Sequence, residues 1–263
     1  MAWALSILYI LVAAAIVLVF GGQQWWMPPA ASELARDFDS QFIITLVSTG
    51  FFLVLMHIIL SFIVVRFREG NSQADYWRGN VKWIWATVAA MAVLDVGLAV
   101  GSESIWTRQH IDPEPQNALR IQVIGQQFVW NARYPGPDGL FGLTDLTLVD
   151  DATNPLGLVP SDTAAKDDLV IPNLVVPRGR PVVLLLGSKD VIHSFFVREL
   201  RIKQDAVPGM LIPLRFTADR NGRFEVACAE LCGLGHHQMR TFLEVLEPAE
   251  YEERIEQYRR GEF

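Results

Sequence analysis

Residues 228–239 concentrate side chains that bind soft metal ions. They read Cys-Ala-Glu-Leu-Cys-Gly-Leu-Gly-His-His-Gln-Met, which places thiols at Cys228 and Cys232, an imidazole at His236 and a thioether at Met239. Sulfur ligands are soft and imidazole is intermediate, so this set favours copper over magnesium or calcium. An electron-transferring site with one copper ion uses one Cys, two His and a weak Met, and His193 can supply the second imidazole from a separate strand.

The second cysteine exceeds what a site with one copper ion needs. Two thiolates separated by three residues can both bridge a pair of metal ions, and each ion then takes its own imidazole. The residue types and their spacing therefore predict a binuclear copper site whose task is electron transfer.

Two simpler interpretations of the cysteines are open at this stage. Two Cys in an exported domain usually form a disulfide. Cys228 and Cys232 could instead bind a tetrahedral zinc ion together with His236 and His193. Neither interpretation accounts for Met239 or for the position of His193 in its own strand-like run.

The combined motif resembles subunit II of haem–copper cytochrome c oxidases. The pattern Cys-x-Glu-x-Cys-Gly-x-x-His-x-x-Met is preceded by Asp-Val-x-His-Ser-Phe from Asp190 and by Lys-x-Asp-Ala-x-Pro-Gly from Lys203. The resemblance extends over roughly residues 40–247. It implies a cupredoxin fold and a binuclear copper centre.

The resemblance also implies a role for each ligand. Two thiolates bridge both copper ions, each ion takes one imidazole, and a thioether and a backbone carbonyl are weak ligands. The bridging thiolates are those of Cys228 and Cys232, and the imidazoles are those of His193 and His236. Met239 supplies the thioether, and Glu230 supplies the backbone carbonyl. His237 is the rival histidine, but it occupies a variable position of the motif.

A second metal and several partners follow from the same resemblance. The Glu230 carboxylate is expected to reach a magnesium or manganese ion shared with subunit I, since a hard carboxylate suits a hard cation. A soluble or tethered cytochrome c would donate electrons, and haem in subunit I would receive them and reduce oxygen. Other oxidase subunits and the membrane are expected partners, and nucleic acid is not. The alternative function is a membrane-tethered protein that delivers or stores copper.

The sequence departs from the family pattern where electrons and protons enter. Gly-His-Gln-Trp-Tyr-Trp of the family corresponds here to Gly-Gln-Gln-Phe-Val-Trp, so Phe128 replaces the tryptophan associated with electron uptake. Trp130, predicted to lie on the same strand face, is a possible substitute. Arg198 stands where proline is usual. The glutamate that usually precedes the last membrane helix, at the start of a proton path, is missing.

Long apolar runs at residues 2–20, 42–65 and 81–100 explain why 51% of the chain is hydrophobic. Each is close to the ~20 residues that cross a membrane. The first run lacks a basic leader and exceeds a typical signal-peptide core, so we expect a retained helix. Four basic residues between the second and third runs predict a cytoplasmic loop and an extracytoplasmic C-terminal domain, in a bacterial-type inner membrane.

Ionisable residues in or beside these runs are candidates for the proton path. His57 and Asp95 lie mid-membrane and are expected to face protein, paired with each other or with subunit I. Asp75 and Glu69, at the cytoplasmic end, are better placed to replace the missing glutamate.

The predicted organisation is a transmembrane anchor at 1–106, a cupredoxin-like Greek-key β-barrel at 107–247 and a peripheral helix at 248–263. Short alternating apolar runs separated by Pro and Gly support the all-β assignment. Residues 214–226 are predicted to form a hairpin with Asn221 and Gly222 as its turn.

Overall fold

The computed structural model describes residues 2–22, 27–68 and 79–262. Asp75 and Glu69 lie outside the described residues. The chain divides into two compact units. One contains most of three long helices, and the other contains Pro29–Asp37 and the chain from Ile105 onward. The predicted boundaries at 106 and 247 stay predictions.

In the described part of the chain, three helices are long and apolar enough to cross a membrane: α1 (Ala2–Gly22), α2 (Glu33–Arg66) and α3 (Val81–His110). At 1.5 Å per residue, the 34 residues of α2 span about 51 Å, well beyond the ~30 Å hydrocarbon core. Within this unit, the Ser61 hydroxyl donates to the Ser6 carbonyl at 3.2 Å, and the Gln41 amide donates to the Leu98 carbonyl at 3.0 Å. These bonds join α1 to α2 and α2 to α3.

The two intramembrane ionisable residues have different surroundings. His57 Nδ1 lies 2.8 Å from the Leu53 carbonyl of its own helix, and its ring meets Tyr9 of α1 edge-on at 6.1 Å. Asp95 is exposed, and among the described residues it has no hydrogen bond or ion pair. A pair between His57 and Asp95 is therefore absent from the described structure, whereas the proton-path roles stay predictions.

Residues 29–37 belong to the β-rich unit. The Ala31 amide donates to the Glu199 carbonyl at 2.8 Å, and the Asp219 amide donates to the Ala31 carbonyl at 3.0 Å. Ser32 Oγ accepts from the Ala35 amide at 3.0 Å and so satisfies a free donor in the first turn of α2. The start of α2 is thus fixed by backbone pairing.

Within the residues that the structure describes, ten strands form two five-stranded sheets. The first sheet has the order β3-β2-β1-β5-β8 and the second the order β4-β10-β9-β6-β7. The strands are β1 (Leu119–Gln126), β2 (Val129–Tyr134), β3 (Leu169–Ile171), β4 (Leu174–Pro177), β5 (Val182–Ser188), β6 (His193–Val197), β7 (Ile202–Ala206), β8 (Ile212–Phe216), β9 (Gly222–Cys228) and β10 (Arg240–Leu246). A one-turn helix, α4 (Thr163–Lys166), precedes β3.

The core lies between the two sheets. Alternate residues of β1 (Leu119, Ile121 and Val123) are buried, as expected for strands with one face on a core. Phe195 of β6 and Leu243 of β10 are fully buried in the same cluster. The predicted cupredoxin-like all-β domain is confirmed. The final helix, α5 (Pro248–Arg259), lies within the predicted peripheral helix and buries Tyr251 and Ile255.

The predicted hairpin at 214–226 is wrong. Strand β8 pairs with β5 in the first sheet, whereas β9 pairs with β6 and β10 in the second. The intervening residues cross between the sheets, and Ala218 is buried there with its carbonyl accepting from the Gly179 amide at 2.8 Å. Long-range pairing therefore outweighs the local turn signal of Asn221 and Gly222.

The predicted common strand face of Phe128 and Trp130 is also wrong. Strands β1 and β2 pair antiparallel, with Gln126 opposite Val129, so Gln127 and Phe128 form a two-residue turn. Trp130 lies inside β2 and is 1% exposed, whereas Phe128 is half-buried. The sequence gives no turn signal here because the turn has no Gly, Asn or Pro.

Candidate metal centre

Strand pairing places the predicted ligands at one end of the β domain. His193 is the first residue of β6 and Cys228 is the last residue of β9, and these strands are antiparallel neighbours. Met239 immediately precedes β10, and its carbonyl accepts from the Cys228 amide at 3.1 Å. The loop between β9 and β10 therefore begins and ends at ligands and brings Cys232 and His236 back beside them.

The donor atoms converge within a few ångströms. The two cysteine Sγ atoms are 3.9 Å apart. Cys228 Sγ lies 3.9 Å from His193 Nδ1, and Cys232 Sγ lies 3.6 Å from His236 Nδ1. Met239 Sδ is 3.8 Å from Cys232 Sγ. Each thiol thus has its own imidazole, and a thioether adjoins one of them.

Two other residues of this region, Glu230 and His237, have exposed side chains. The Glu230 carbonyl lies 3.2 Å from Cys228 Sγ, while the Glu230 side chain is exposed. His237 is exposed as well, so the imidazole that contacts the cysteines belongs to His236.

The cysteines are free thiols in this structure, so the predicted alternative of a disulfide is not realised. A disulfide needs sulfur atoms about 2.05 Å apart. Burial, followed by the neighbouring Cys228, raises the pKa of the Cys232 thiol to about 11. The Cys232 thiol is therefore costly to ionise unless a cation balances its charge. Together with two imidazoles and a thioether, this donor set fits a thiophilic metal ion such as copper.

Several contacts fix the His193 ring, which is fully buried. Its Nε2 atom lies 2.8 Å from Asp190 Oδ1. Burial opposes ionisation of Asp190, but hydrogen bonds from the Gln127 amide and His193 outweigh it and lower the Asp190 pKa. On the other side, a Cβ atom at Gly125 would lie 2.9 Å from His193 Cδ2, so only glycine fits there. The Trp130 ring meets the imidazole edge-on at 5.9 Å.

The Phe128 ring packs on the loop between β9 and β10, which contains Cys232 and His236 and is called the ligand loop below. A Cβ atom at Gly235 would lie 2.5 Å from Phe128 Cδ2, and one at Gly233 would lie 3.2 Å from Phe128 Cζ. Gly233 also has a φ of 133°, which other residues rarely adopt. Beside this ring, Gln127 Nε2 donates to the Cys232 carbonyl at 2.5 Å. The β1–β2 turn thus holds the ligand loop in place.

Comparison with known proteins identifies the family. The model of the cytochrome c oxidase subunit II periplasmic domain matches residues 119–246. The alternative cytochrome c oxidase subunit 2 of Bradyrhizobium diazoefficiens is 37% identical over 228 residues, which cover 83% of this chain and 79% of that protein. The chain belongs to the cytochrome c oxidase subunit II family.

Other subunit II proteins show the same relationship. Cytochrome c oxidase subunit 2 of Cereibacter sphaeroides is 29% identical over 232 residues, covering 81% of this chain and 76% of that one. The crystal structure of the subunit II periplasmic domain from Bradyrhizobium japonicum is 27% identical, with a TM-score of 0.42, and covers 56% of this chain and 97% of that one.

Family membership indicates which metal suits the donor cluster and where in the cell the chain is located. The cluster of His193, Cys228 and Cys232 is a candidate copper site in a family that binds copper. The chain is a membrane-anchored subunit that associates with other oxidase subunits, and its β domain is extracytoplasmic. The predicted membrane anchor and the predicted side of the membrane are confirmed at this level.

Sequence reasoning missed three residues that shape the site: Gly125, Gln127 and Asp190. Asp190 was visible as part of the motif before His193, because a carboxylate three residues from an imidazole can contact it in a tight turn. Gly125 and Gln127 had no such signal, since their importance arises from pairing between β1 and β2.

Proposed function

We propose that this chain is the electron-accepting subunit of a bacterial inner-membrane cytochrome c oxidase. It takes electrons from cytochrome c at a binuclear copper centre and passes them to haem in subunit I, where oxygen is reduced. The observation that carries the proposal is the pair of free, buried thiols 3.9 Å apart, each with its own imidazole within 3.9 Å.

The positions of the weak donors support two metal ions. The Glu230 carbonyl adjoins Cys228, whereas the Met239 thioether adjoins Cys232. In the proposed centre, the thiolates of Cys228 and Cys232 would hold both ions, and His193 and His236 would each supply one imidazole. A pair of copper ions bridged by thiolates would supply one-electron transfer with little rearrangement of its bonds. Burial of His193, Cys228, Cys232 and Met239 excludes water from these side chains and restrains them further.

Phe128 is the proposed contact with the electron donor. Its ring is half-buried and rests on the ligand loop at Gly235, so it joins the surface to the centre. Trp130 is 1% exposed and cannot touch a docked protein. Its edge-on contacts with His193 and Phe195 give it a packing role in this proposal.

An acidic loop next to Phe128 supports docking of a basic cytochrome. Lys189 Nζ donates to Asp151 Oδ1 at 2.9 Å and to Gln126 Oε1 at 2.5 Å. These bonds attach the loop around Asp150 and Asp151 to the end of β1, beside the turn that contains Phe128. Carboxylates there would raise the rate of association with a basic donor.

The second proposed metal is magnesium or manganese, shared with subunit I through Glu230. The exposed side chain of Glu230 leaves its carboxylate free to reach a hard cation on a partner surface, while its carbonyl stays beside Cys228.

The alternative of a copper-delivery or copper-storage protein is less well supported. Such a protein must release its metal and needs open ligands. Here four of the proposed ligands are enclosed and His236 is half-buried: the exposed fraction is 0% for His193, 2% for Met239, 4% for Cys232 and 8% for Cys228.

Copper stoichiometry tests the proposal. The full chain, purified in detergent and loaded with copper, should hold two copper ions and give the electron paramagnetic resonance spectrum of one electron shared by two nuclei. His236→Ala should lose this spectrum because one ion loses its imidazole. His237→Ala, the matched control, should keep it.

Two outcomes would contradict the binuclear assignment. One is a single zinc ion per chain. The other is a single copper ion with the Cys232 thiol still open to a thiol reagent.

A further inference from the structure

Asp190 joins one imidazole of the site to the turn that contacts the donor. Its Oδ1 atom accepts from His193 Nε2 at 2.8 Å and from the Val191 amide at 2.7 Å. Its Oδ2 atom accepts from the Gln127 amide at 2.8 Å. One carboxylate thus binds the ligand side chain of β6 and the backbone between β1 and β2.

This contact selects the tautomer of His193. An ionised carboxylate only accepts hydrogen bonds, so the ring nitrogen that faces it must carry the proton. The proton then stands on Nε2, and the lone pair of Nδ1 is free on the side of Cys228 Sγ, 3.9 Å away. The ring is enclosed between Gly125 and Trp130, which leaves it little room to turn over.

The second carboxylate oxygen of Asp190 extends these contacts to the ligand loop between β9 and β10. The Gln127 amide donates to Asp190, and the Gln127 side chain donates to the Cys232 carbonyl at 2.5 Å. The next residue, Phe128, packs against Gly235 in the same loop. His193, Asp190, Gln127 and Cys232 therefore form a continuous chain of contacts between ligands that lie far apart in the sequence.

The negative charge of Asp190 is not balanced by its neighbour in the sequence. Lys189 directs its ammonium group away, to Asp151, Gln126 and the Pro155 carbonyl. The Asp190 charge consequently acts on the imidazole to which it is bonded.

We propose that Asp190 is a positioning residue of the copper centre. It holds His193 in the tautomer that presents Nδ1, it keeps the Gln127–Phe128 turn on the ligand loop, and its charge favours the oxidised state of the centre. This inference rests on the proposed function, because it assigns a role toward copper.

The test compares two substitutions in the full chain, loaded with copper in detergent. Asp190→Asn keeps an oxygen acceptor but removes the charge, and Asp190→Ala removes both. Asp190→Ala should retain copper about 10–100-fold less tightly against a chelator, as is usual when the hydrogen-bond partner of a metal-binding histidine is removed. Asp190→Asn should raise the midpoint reduction potential and change the copper hyperfine splitting, with a smaller loss of affinity.

The control is Asp138→Asn, which removes one negative charge from an exposed turn. Among the residues that the structure describes, the Asp138 side chain accepts only from the Leu140 amide. This substitution should leave the affinity, the potential and the spectrum at their original values. Circular dichroism of the metal-free variants checks that they fold, and the nearly isosteric Asp190→Asn decides the question if Asp190→Ala does not.

If Asp190→Asn matches the unsubstituted chain in potential, spectrum and copper retention, the inference is overturned while the proposed function stands. If the unsubstituted chain fails to form the two-copper spectrum, the proposed function is overturned and this inference with it.

Discussion

Phe128 stands at the tryptophan position of the family pattern, and its ring packs on the loop between β9 and β10. The ring covers Gly235 and Gly233 of the ligand loop and remains half-exposed. Trp130 lies close in the sequence but is in the core, with no hydrogen-bond partner for its buried indole nitrogen among the described residues. Phe128 therefore covers the ligand loop, whereas Trp130 packs in the core.

We predict that Phe128→Ala slows electron transfer from cytochrome c to the copper centre by about tenfold, or about 1.4 kcal/mol in the barrier. The reason is loss of the ring that joins the surface to the ligand loop. Stopped-flow measurement in the assembled oxidase, with the copper spectrum recorded in parallel, checks this.

Trp130→Phe is the comparison variant. It replaces the buried indole by a smaller aromatic ring that no docked protein can touch, so the rate should stay unchanged where the copper spectrum shows that the neighbouring His193 is undisturbed. An unchanged rate in Phe128→Ala, with the copper spectrum intact, would place electron uptake elsewhere on the domain.

At the scale of elements, a buried ion pair anchors the long excursion between β2 and β3. Arg133 of β2 pairs with Asp168, and their side chains are 3% and 0% exposed. Arg133 Nη2 also donates to the Gly142 carbonyl at 2.6 Å, and the Gly142 amide donates to Asp168 at 3.0 Å. Both ends of residues 142–168 are thereby attached to β2.

We predict that Asp168→Ala lowers the free energy of unfolding of the β domain by about 3–5 kcal/mol, since it leaves the Arg133 charge buried and uncompensated. Thermal melting of the purified chain, followed by near-ultraviolet circular dichroism, measures the loss. The exposed Asp138→Asn should change stability by less than about 0.5 kcal/mol. An equally small effect of Asp168→Ala would show that the excursion is held by other contacts.

The sequence located most strands but not how two of their connections fold. The apolar runs that became β1, β5 and β6 were recognisable because one or both faces meet the core. The turn at Gln127 and the crossing of residues 217–221 between sheets were not. In both, pairing with distant strands determines the backbone path, and no local residue preference reports it.

For the whole molecule, the charge distribution suits encounter with the proposed basic donor. Residues 107–263 contain 17 Lys and Arg against 22 Asp and Glu, which gives a net charge of −5. The acidic loop around Asp151 is attached beside the turn that contains Phe128. A positively charged cytochrome would therefore be attracted toward the end of the domain that holds the ligands.

We predict that the association rate with a basic cytochrome c falls as the salt concentration rises, because the Debye length shrinks from ~30 Å at 0.01 M to ~10 Å at 0.1 M. Stopped-flow mixing with the assembled oxidase over this range measures the effect. A rate that stays flat would indicate apolar docking or a donor already bound within a larger complex.

The sequence by itself identified the candidate metal-binding groups of this protein. Two thiols, two imidazoles and a thioether are recognisable by type and spacing, because few metals accept such a set. The apolar runs likewise determined the membrane anchor, since length and hydropathy are local properties.

Only the tertiary structure decided how these groups cooperate. It set the pairing of His193 with Asp190, the fit of Phe128 on Gly235 and the burial of Trp130. Each of these depends on strands that are distant in the chain but adjacent in a sheet. Contacts of that kind are determined by the packing of the whole domain, and no short stretch of sequence contains them.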